Sequence, residues 1–145
     1  MKPRKSDIAK KVREWLTYAE EDLRIARHAL TLSSSVPYRL IAFHAQQCVE
    51  KYVKSYLAYH NIDFPYTHDI GKLLKWCEEK ADWTGKIRQA EELTPFAVTA
   101  RYPGIGKSIT KRQALVAVKI ATQTRNVVRR ALIKEGLKIE NEHSK

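Results

Sequence analysis

Hydrophobic residues recur every three or four positions along most of the chain, the spacing that places them on one face of an α-helix. This spacing predicts a first long helix from about Asp7 to Leu32, with Ser6 as its N-cap. A second long helix is predicted from about Pro37 to His60. The last is predicted from about Thr110 to Glu135, where Gly136 closes it.

Shorter helices are predicted in the middle of the chain, each bounded by capping or turn residues. Their bounds are Ile70 to Ala81 after a cap at Asp69 or Thr67, about Thr84 to Leu93, and a short turn from Thr94-Pro95 through Ala100 with Thr94 as cap. No stretch alternates with the period of two that strands need. The predicted fold is therefore all-α: an antiparallel up-and-down bundle of four main helices plus one short helix.

The chain length fits one domain, which we expect over residues 1–145 with a core of about 7–136 and loose ends at 1–5 and 138–145. The 27 lysines and arginines outnumber the 16 acidic residues and give a net charge of +11. This surplus favours polyanions as partners: nucleic acid, nucleotides or an acidic protein. No apolar run approaches the roughly 20 residues that span a bilayer, so we expect a cytoplasmic protein without membrane contact.

The two cysteines, Cys48 and Cys77, lie far apart, each inside a helical pattern. No Cys-x-x-Cys or His-x-x-x-His spacing accompanies them, so the sequence predicts neither a metal site nor a cofactor. We expect both thiols to be reduced and partly buried.

The most informative stretch of the second helix is Phe43-His44-Ala45-Gln46-Gln47-Cys48-Val49-Glu50-Lys51. One face of this helix is apolar, and the opposite arc carries a polar ridge formed by His44, Gln47, Lys51 and Lys54. One interpretation is a solvated helix face, with Glu50 and Lys54 as a stabilising pair. The alternative is a ridge that serves one site. Leu40 and Phe43 share this arc, which indicates that its start meets the first helix or a second subunit.

Two charged residues stand in or beside apolar stripes. Asp22 lies at the edge of the stripe of the first helix, where a carboxylate seeks a partner such as Lys51 or reaches water. Arg125 projects into the apolar arc of the last helix, so it belongs to a buried ion pair or to a site. Gly106-Lys107-Ser108 suggests a phosphate-binding loop, but that motif requires glycine at the position of Arg101 and a preceding strand. We exclude it.

Several separated motifs together resemble the HEPN domain family, the higher eukaryotes and prokaryotes nucleotide-binding domain. They are Trp15, Ala19, Asp22-Leu23 and Ala26; Phe43-His44-Ala45-Gln46-Gln47-x-x-Glu50-Lys51; Pro65-x-Thr67-His68-Asp69-Ile70; and Ala100-Arg101-Tyr102-Pro103. The resemblance covers roughly Trp15 to Leu132. It implies a helical bundle, often a homodimer, that binds nucleotides or RNA, and in many small members a minimal nucleotidyltransferase partner in a toxin–antitoxin pair. The nucleotide-binding positions it implies are His44, Gln47, Lys51, His68, Asp69, Arg101 and Tyr102.

A ribonuclease is the enzymatic alternative. Ribonuclease branches of the family carry an arginine followed four to six residues later by a histidine on a late helix. Arg125-Asn126 begins this pattern here, but no histidine completes it. Arg39 and His44 have the spacing, yet on one straight helix they point about 140° apart. We therefore favour a binding module over a metal-independent ribonuclease, and keep a purely structural homodimerising protein as a third interpretation.

Overall fold

The computed structural model describes residues 3–99, 102–104 and 108–139, and these ranges contain helices and no strand. The helices are α1 (Lys5–Ala29), α2 (Tyr38–Tyr59), α3 (Ile70–Cys77), α4 (Phe96–Thr99) and α5 (Lys111–Lys134), with a 3₁₀ segment (Thr84–Leu93) between α3 and α4. The prediction of an all-α fold is confirmed. None of the helices in the described ranges combines the length and apolar composition needed to cross a membrane.

Helix α2 is the central element of the core. It packs against α1, α3, α4, α5 and the 3₁₀ segment, so it is buried on most sides. Helix α5 approaches it with a face that includes the fully buried Ala114, Ala117 and Ala121. Small side chains there permit close packing of two helix backbones. Because α2 is enclosed in this way, its polar side chains must find partners inside the protein.

Three predicted helix boundaries follow local capping chemistry. The hydroxyl of Thr110 accepts the backbone N–H of Gln113 at 3.1 Å, and the Gln113 side chain accepts the N–H of Thr110 at 2.8 Å. This capping box starts α5, and Gly136, with φ of 110°, follows its end. Asp69 is the N-cap of α3, since its side chain accepts the N–H of Lys72 at 3.2 Å.

Helix α1 differs from the prediction at both ends. It begins at Lys5 after Arg4, which makes no side-chain cap bond, so the prediction of Ser6 as N-cap was wrong. It ends at Ala29 instead of Leu32, because the following residues close into a tighter turn with i to i+3 hydrogen bonds. Because the hydrophobic spacing continues through such a turn, the sequence pattern does not show where the α-helix ends.

The short helices also differ in extent. Helix α3 ends at Cys77, before the predicted Ala81, and the helix predicted from Thr84 to Leu93 is a 3₁₀ segment with non-helical angles at Ile87. The hydroxyl of Thr94 accepts the N–H of Ile70 at 3.1 Å, so its side chain supports the start of α3 instead of capping its own turn. The predicted end of that turn, at position 100, lies outside the described residues.

Both thiols are free and fully buried. Burial raises the pKa of Cys77 to about 12, with a smaller contribution from the charge of Glu78, because a thiolate loses its hydration inside the protein. Burial also raises the pKa of Cys48 far above its ordinary value, and Glu20 and Asp22 add to that effect. The thiols were expected to be partly buried, and the structure encloses them completely.

We therefore predict that neither thiol reacts with a thiol-specific reagent near pH 8 in the native protein, while both react in denaturant. The folded pKa of Cys77 lies above the unfolded value of about 8.5. Its contribution to stability is therefore complete below that pH and is lost as pH rises toward the folded value. Labelling followed by mass spectrometry measures this, and rapid labelling of either cysteine in folded protein would contradict it.

Candidate functional site

The polar ridge of α2 is covered by α1 and by the segment that connects α2 to α3. Lys54 and the neighbouring Glu50 and Gln46 are buried. The interpretation of this arc as a solvated helix face was therefore wrong, although Glu50 and Lys54 do pair, at 2.9 Å. Two networks of hydrogen bonds lie under this cover, each centred on a carboxylate.

The first network centres on Asp22 of α1. Lys51 Nζ donates to one carboxylate oxygen of Asp22 at 2.5 Å, and His44 Nδ1 lies 2.9 Å from the other. Of the alternatives given for Asp22 from the sequence, the structure shows the pair with Lys51. Because a carboxylate only accepts, His44 Nδ1 carries the proton, and in the neutral ring Nε2 is an acceptor. The three residues lock α1 to α2, while the His44 and Lys51 side chains stay partly exposed.

The second network centres on Glu50, whose carboxylate is almost entirely buried. It accepts from Gln46 Nε2 at 3.2 Å and from His68 Nδ1 at 2.7 Å, besides its pair with Lys54. Gln46 also donates to the carbonyl oxygen of His68 at 3.2 Å. A buried carboxylate is stable only with several donors, and here those donors tie α2 to the chain before α3.

Gln47 extends the Glu50 network, because its Nε2 donates to Gln46 Oε1 at 2.7 Å. Beyond them, the ammonium group of Lys54 lies 5.7 Å from the ring centres of Trp15 and Phe64 and 6.0 Å from that of Tyr66. These are distances at which a cation is attracted by an aromatic face. Lys54 therefore connects the Glu50 network to an aromatic cluster at the surface.

A third network centres on Glu20 of α1, a residue that the sequence analysis did not select. Arg125 Nε donates to Glu20 at 2.6 Å, Arg129 lies 4.0 Å away, and the Tyr52 hydroxyl donates to the same oxygen. Burial, with this hydrogen bond and the charge of Glu20, raises the pKa of Tyr52 well above its ordinary value. Of the two roles predicted for Arg125, the structure shows the partly buried ion pair. The sequence contains no clear signal for Glu20, which stands one position outside the apolar stripe.

The remaining predicted positions lie apart from these networks. Asp69 caps α3 as described above, and Arg101 lies outside the described residues. Tyr102 lines a surface cavity of about 370 Å³ together with Arg39 at the start of α2. His44, in contrast, points to Asp22. The structure therefore places Arg39 and His44 in different surroundings. Among the described residues, no cluster of three or more potential metal ligands is present.

A set of arginines follows the boundary between α1 and α5, and we call it the arginine groove. Its members are Arg13, Arg24 and Arg27 on α1 and Arg125 and Arg129 on α5. Arg13 donates to the carbonyl oxygen of Lys138 at 3.2 Å and Arg27 to the Thr122 hydroxyl at 2.9 Å, so the two helices run antiparallel. The ion pairs described for the groove both end on Glu20. These five arginines outnumber Glu20, the carboxylate described among them, and give the groove a positive charge.

Comparisons with known proteins agree with this architecture. The profile of the HEPN domain family matches residues 12–131. The crystal structure of an archaeal HEPN homologue superposes with a TM-score of 0.65 and 30% sequence identity, over 83% of this chain and 97% of that chain. A search of curated proteins found no match. The matched range contains the carboxylates of all three networks.

The Asp22 network predicts a measurable coupling between α1 and α2. Asp22→Asn should lower the free energy of unfolding by about 1–3 kcal/mol, because it leaves poorly hydrated donors without their acceptor. Lys51→Met should also destabilise, and the double variant should be more stable than the sum of the single effects predicts, by about 1 kcal/mol. Urea denaturation measures all three variants.

The control is Glu21→Gln, which removes an exposed carboxylate from the same helix and should change stability by less than about 0.5 kcal/mol. Strictly additive effects of Asp22→Asn and Lys51→Met would show that the two side chains do not interact in solution.

Proposed function

The chain belongs to the HEPN domain family, and on this premise we propose that it is a cytoplasmic module that binds a nucleotide or RNA through the arginine groove. The observation that carries the proposal is the concentration of arginine between α1 and α5 in a protein with a net charge of +11. Phosphate groups are the acidic chemistry that arginine recognises best, since its planar fork donates two parallel hydrogen bonds.

The dimensions of the groove suit an extended polyanion. The α1 part, from Arg13 to Arg27, is about 21 Å long at 1.5 Å per residue. Arg13, Arg24 and Arg27 are exposed on the α1 side of the groove. Long side chains at these positions reach a phosphate backbone without moving the helices. Arg125 and Arg129, anchored near Glu20, give the groove a fixed floor.

The polar ridge of α2 has a different role in this proposal. Lys51 and His44 direct their donors at Asp22, and His68 directs Nδ1 at Glu50. A phosphate at the ridge would compete with these carboxylates, so the ridge attracts anions less than the groove does. We propose that His44, Lys51 and His68, with Gln47 bonded to Gln46, mainly hold the helices together and make secondary ligand contacts from their exposed edges.

A metal-independent ribonuclease has less support. It would need Arg39 and His44 to act on one phosphate, with His44 transferring a proton. Arg39 lines the cavity near Tyr102, whereas His44 Nδ1 is held by Asp22. The late-helix arginine, Arg125, is paired with Glu20 and lacks the histidine of the ribonuclease pattern. These contacts favour binding without cleavage.

A homodimer and a minimal nucleotidyltransferase partner of a toxin–antitoxin pair complete the proposal, and both follow from the family resemblance. An exposed apolar residue on the α2 arc, Leu40, supports a protein contact there, because 37% of its surface is accessible. We predict that Leu40→Glu shifts sedimentation from dimer to monomer, while Leu115→Glu, at an exposed position of α5, does not. Wild-type protein that sediments as a monomer at micromolar concentration would rule out the dimer.

The groove is tested by charge removal at two of its exposed positions on α1. We predict that Arg13→Gln combined with Arg24→Gln weakens binding to single-stranded RNA by about tenfold and reduces the salt slope of affinity by about 1 to 2. The measurement is fluorescence anisotropy at several salt concentrations. The loss follows from two missing phosphate contacts.

The matched control removes the same charge elsewhere, with Lys75→Gln and Lys86→Gln on the exposed surfaces of α3 and the 3₁₀ segment. Equal losses in the two double variants would mean that only net charge matters and that the groove is not the site. No binding by wild-type protein at low salt would overturn the proposed function itself.

A further inference from the structure

Tyr66 is the most exposed large hydrophobic residue among those the structure describes, with 91% of its surface accessible. The other exposed aromatic side chains, Tyr18, Tyr102 and Trp76, reach 57%, 52% and 46%. Tyr66 lies in the segment between α2 and α3, at the surface end of the Glu50 network. The resemblance to the family leaves this position unspecified, so the motif does not explain it.

The backbone around Tyr66 is held on both sides. Next to it, the Thr67 hydroxyl accepts the N–H of Asp69 at 3.1 Å. His68 is fixed by its ring nitrogen on Glu50 and by its carbonyl oxygen, which accepts from Gln46. On the other side Phe64 packs against the core and edge-on to Trp15 at 6.3 Å. An exposed tyrosine is thus presented by an ordered segment, which lowers the entropy lost when a ligand packs on it.

The two faces of the Tyr66 ring have different surroundings. Lys54 Nζ lies over the ring at 6.0 Å, and the His68 ring meets it at 5.5 Å with an interplanar angle of 71°. A cation over one face leaves the opposite face directed to solvent. The ring is therefore supported from the protein side and open on the other side, which is the arrangement needed to stack a flat ligand.

We propose that Tyr66 is a stacking platform for an unpaired nucleobase, so that the ligand of this protein is single-stranded nucleic acid. The inference rests on the proposed function and narrows its ligand class. Aromatic side chains stack on bases of any identity, because every base has a π-face. Bases inside a duplex are already stacked on one another and cannot reach the ring.

His68 gives the platform a polar neighbour. Its Nδ1 donates to Glu50, so its Nε2 lies on the far side of the ring, and 37% of the side chain is exposed. In the neutral form Nε2 accepts a hydrogen bond from a base amino group, and in the protonated form it donates to a phosphate. A stacked base at Tyr66 lies within the neighbourhood of this nitrogen, since the two rings are in contact.

The experiment compares three probes by fluorescence anisotropy or competition: a single-stranded RNA of about 12 nucleotides, the same sequence as a duplex, and inorganic polyphosphate. Tyr66→Ala should weaken binding of the single strand by about tenfold, the loss expected for one stacked base. It should leave duplex and polyphosphate affinities within about twofold of wild type, because no cation is removed. Tyr66→Phe should bind like wild type, and Tyr66→Leu like Tyr66→Ala.

The matched control is Trp76→Ala, which removes an exposed aromatic ring from α3 and should not change affinity for any probe. Unchanged urea midpoints of the Tyr66 variants establish that they are folded. Three outcomes would overturn the platform. Tyr66→Ala could weaken the binding of all three probes equally, it could leave the affinity for the single strand unchanged, or Trp76→Ala could cause the same loss of affinity. Retention would point to a protein partner as the occupant of this surface.

Failure of the inference differs visibly from failure of the proposed function. If the protein binds polyphosphate and the single strand through the arginine groove, and Tyr66→Ala does not change its affinity for the single strand, the proposed function stands and the platform is wrong. If wild-type protein binds none of the three probes, both are wrong.

Discussion

The structure depends on one constraint: a central helix that is enclosed on most sides must neutralise its own polar groups internally. Three carboxylates meet this need at the surface of α2, and each accepts from at least two donors. They are Glu20, Asp22 and Glu50. Removing one donor would leave a poorly hydrated carboxylate with fewer partners, which costs more than the lost bond itself contributes. Each network therefore favours the one arrangement of helices in which its hydrogen bonds can form.

Each carboxylate joins a different set of elements. Asp22 connects α1 with α2, Glu50 connects α2 with the chain before α3, and Glu20 connects α1 with α2 and α5. Hydrophobic contacts alone allow helices to slide along one another, because apolar surfaces carry little directional information. Directed hydrogen bonds select one register. The bundle thus combines a non-directional core with three directional links around its central helix.

The same arrangement separates the charges of the protein into two regions. On the side of α2 that faces α1 and the α2–α3 segment, Lys51 and Lys54 are paired with carboxylates. Between α1 and α5, the described arginines outnumber the carboxylate described among them, Glu20. A polyanion is attracted where cations exceed anions, and much less where each cation is paired with a carboxylate. The residues that dominate the sequence motif are thus different from those best placed to attract a ligand.

Sequence reasoning predicted the helices and the start of α5 near Thr110, and it gave a cap at Asp69 and a pair of Asp22 with Lys51 as alternatives. Periodicity, capping chemistry and desolvation are local properties. Sequence reasoning misjudged Lys54 because a helical wheel gives the direction of a side chain but not what covers it. The segment that buries Lys54 brings Phe64 and Tyr66 from beyond the end of α2. Glu20 was missed for the same reason, since its partners, Arg125 and Arg129, lie over a hundred positions away in the chain.

The structural role of the motif residues also explains why the motif alone does not determine which ligand is bound. His44, Gln47 and Lys51 contact atoms of the protein itself, so any member that needs the same helix arrangement has reason to keep them, whatever it binds. In the function proposed for this chain, the ligand contacts come from residues outside the motif. They are the exposed arginines of the groove and Tyr66, whose ring meets the His68 ring that the Glu50 network holds.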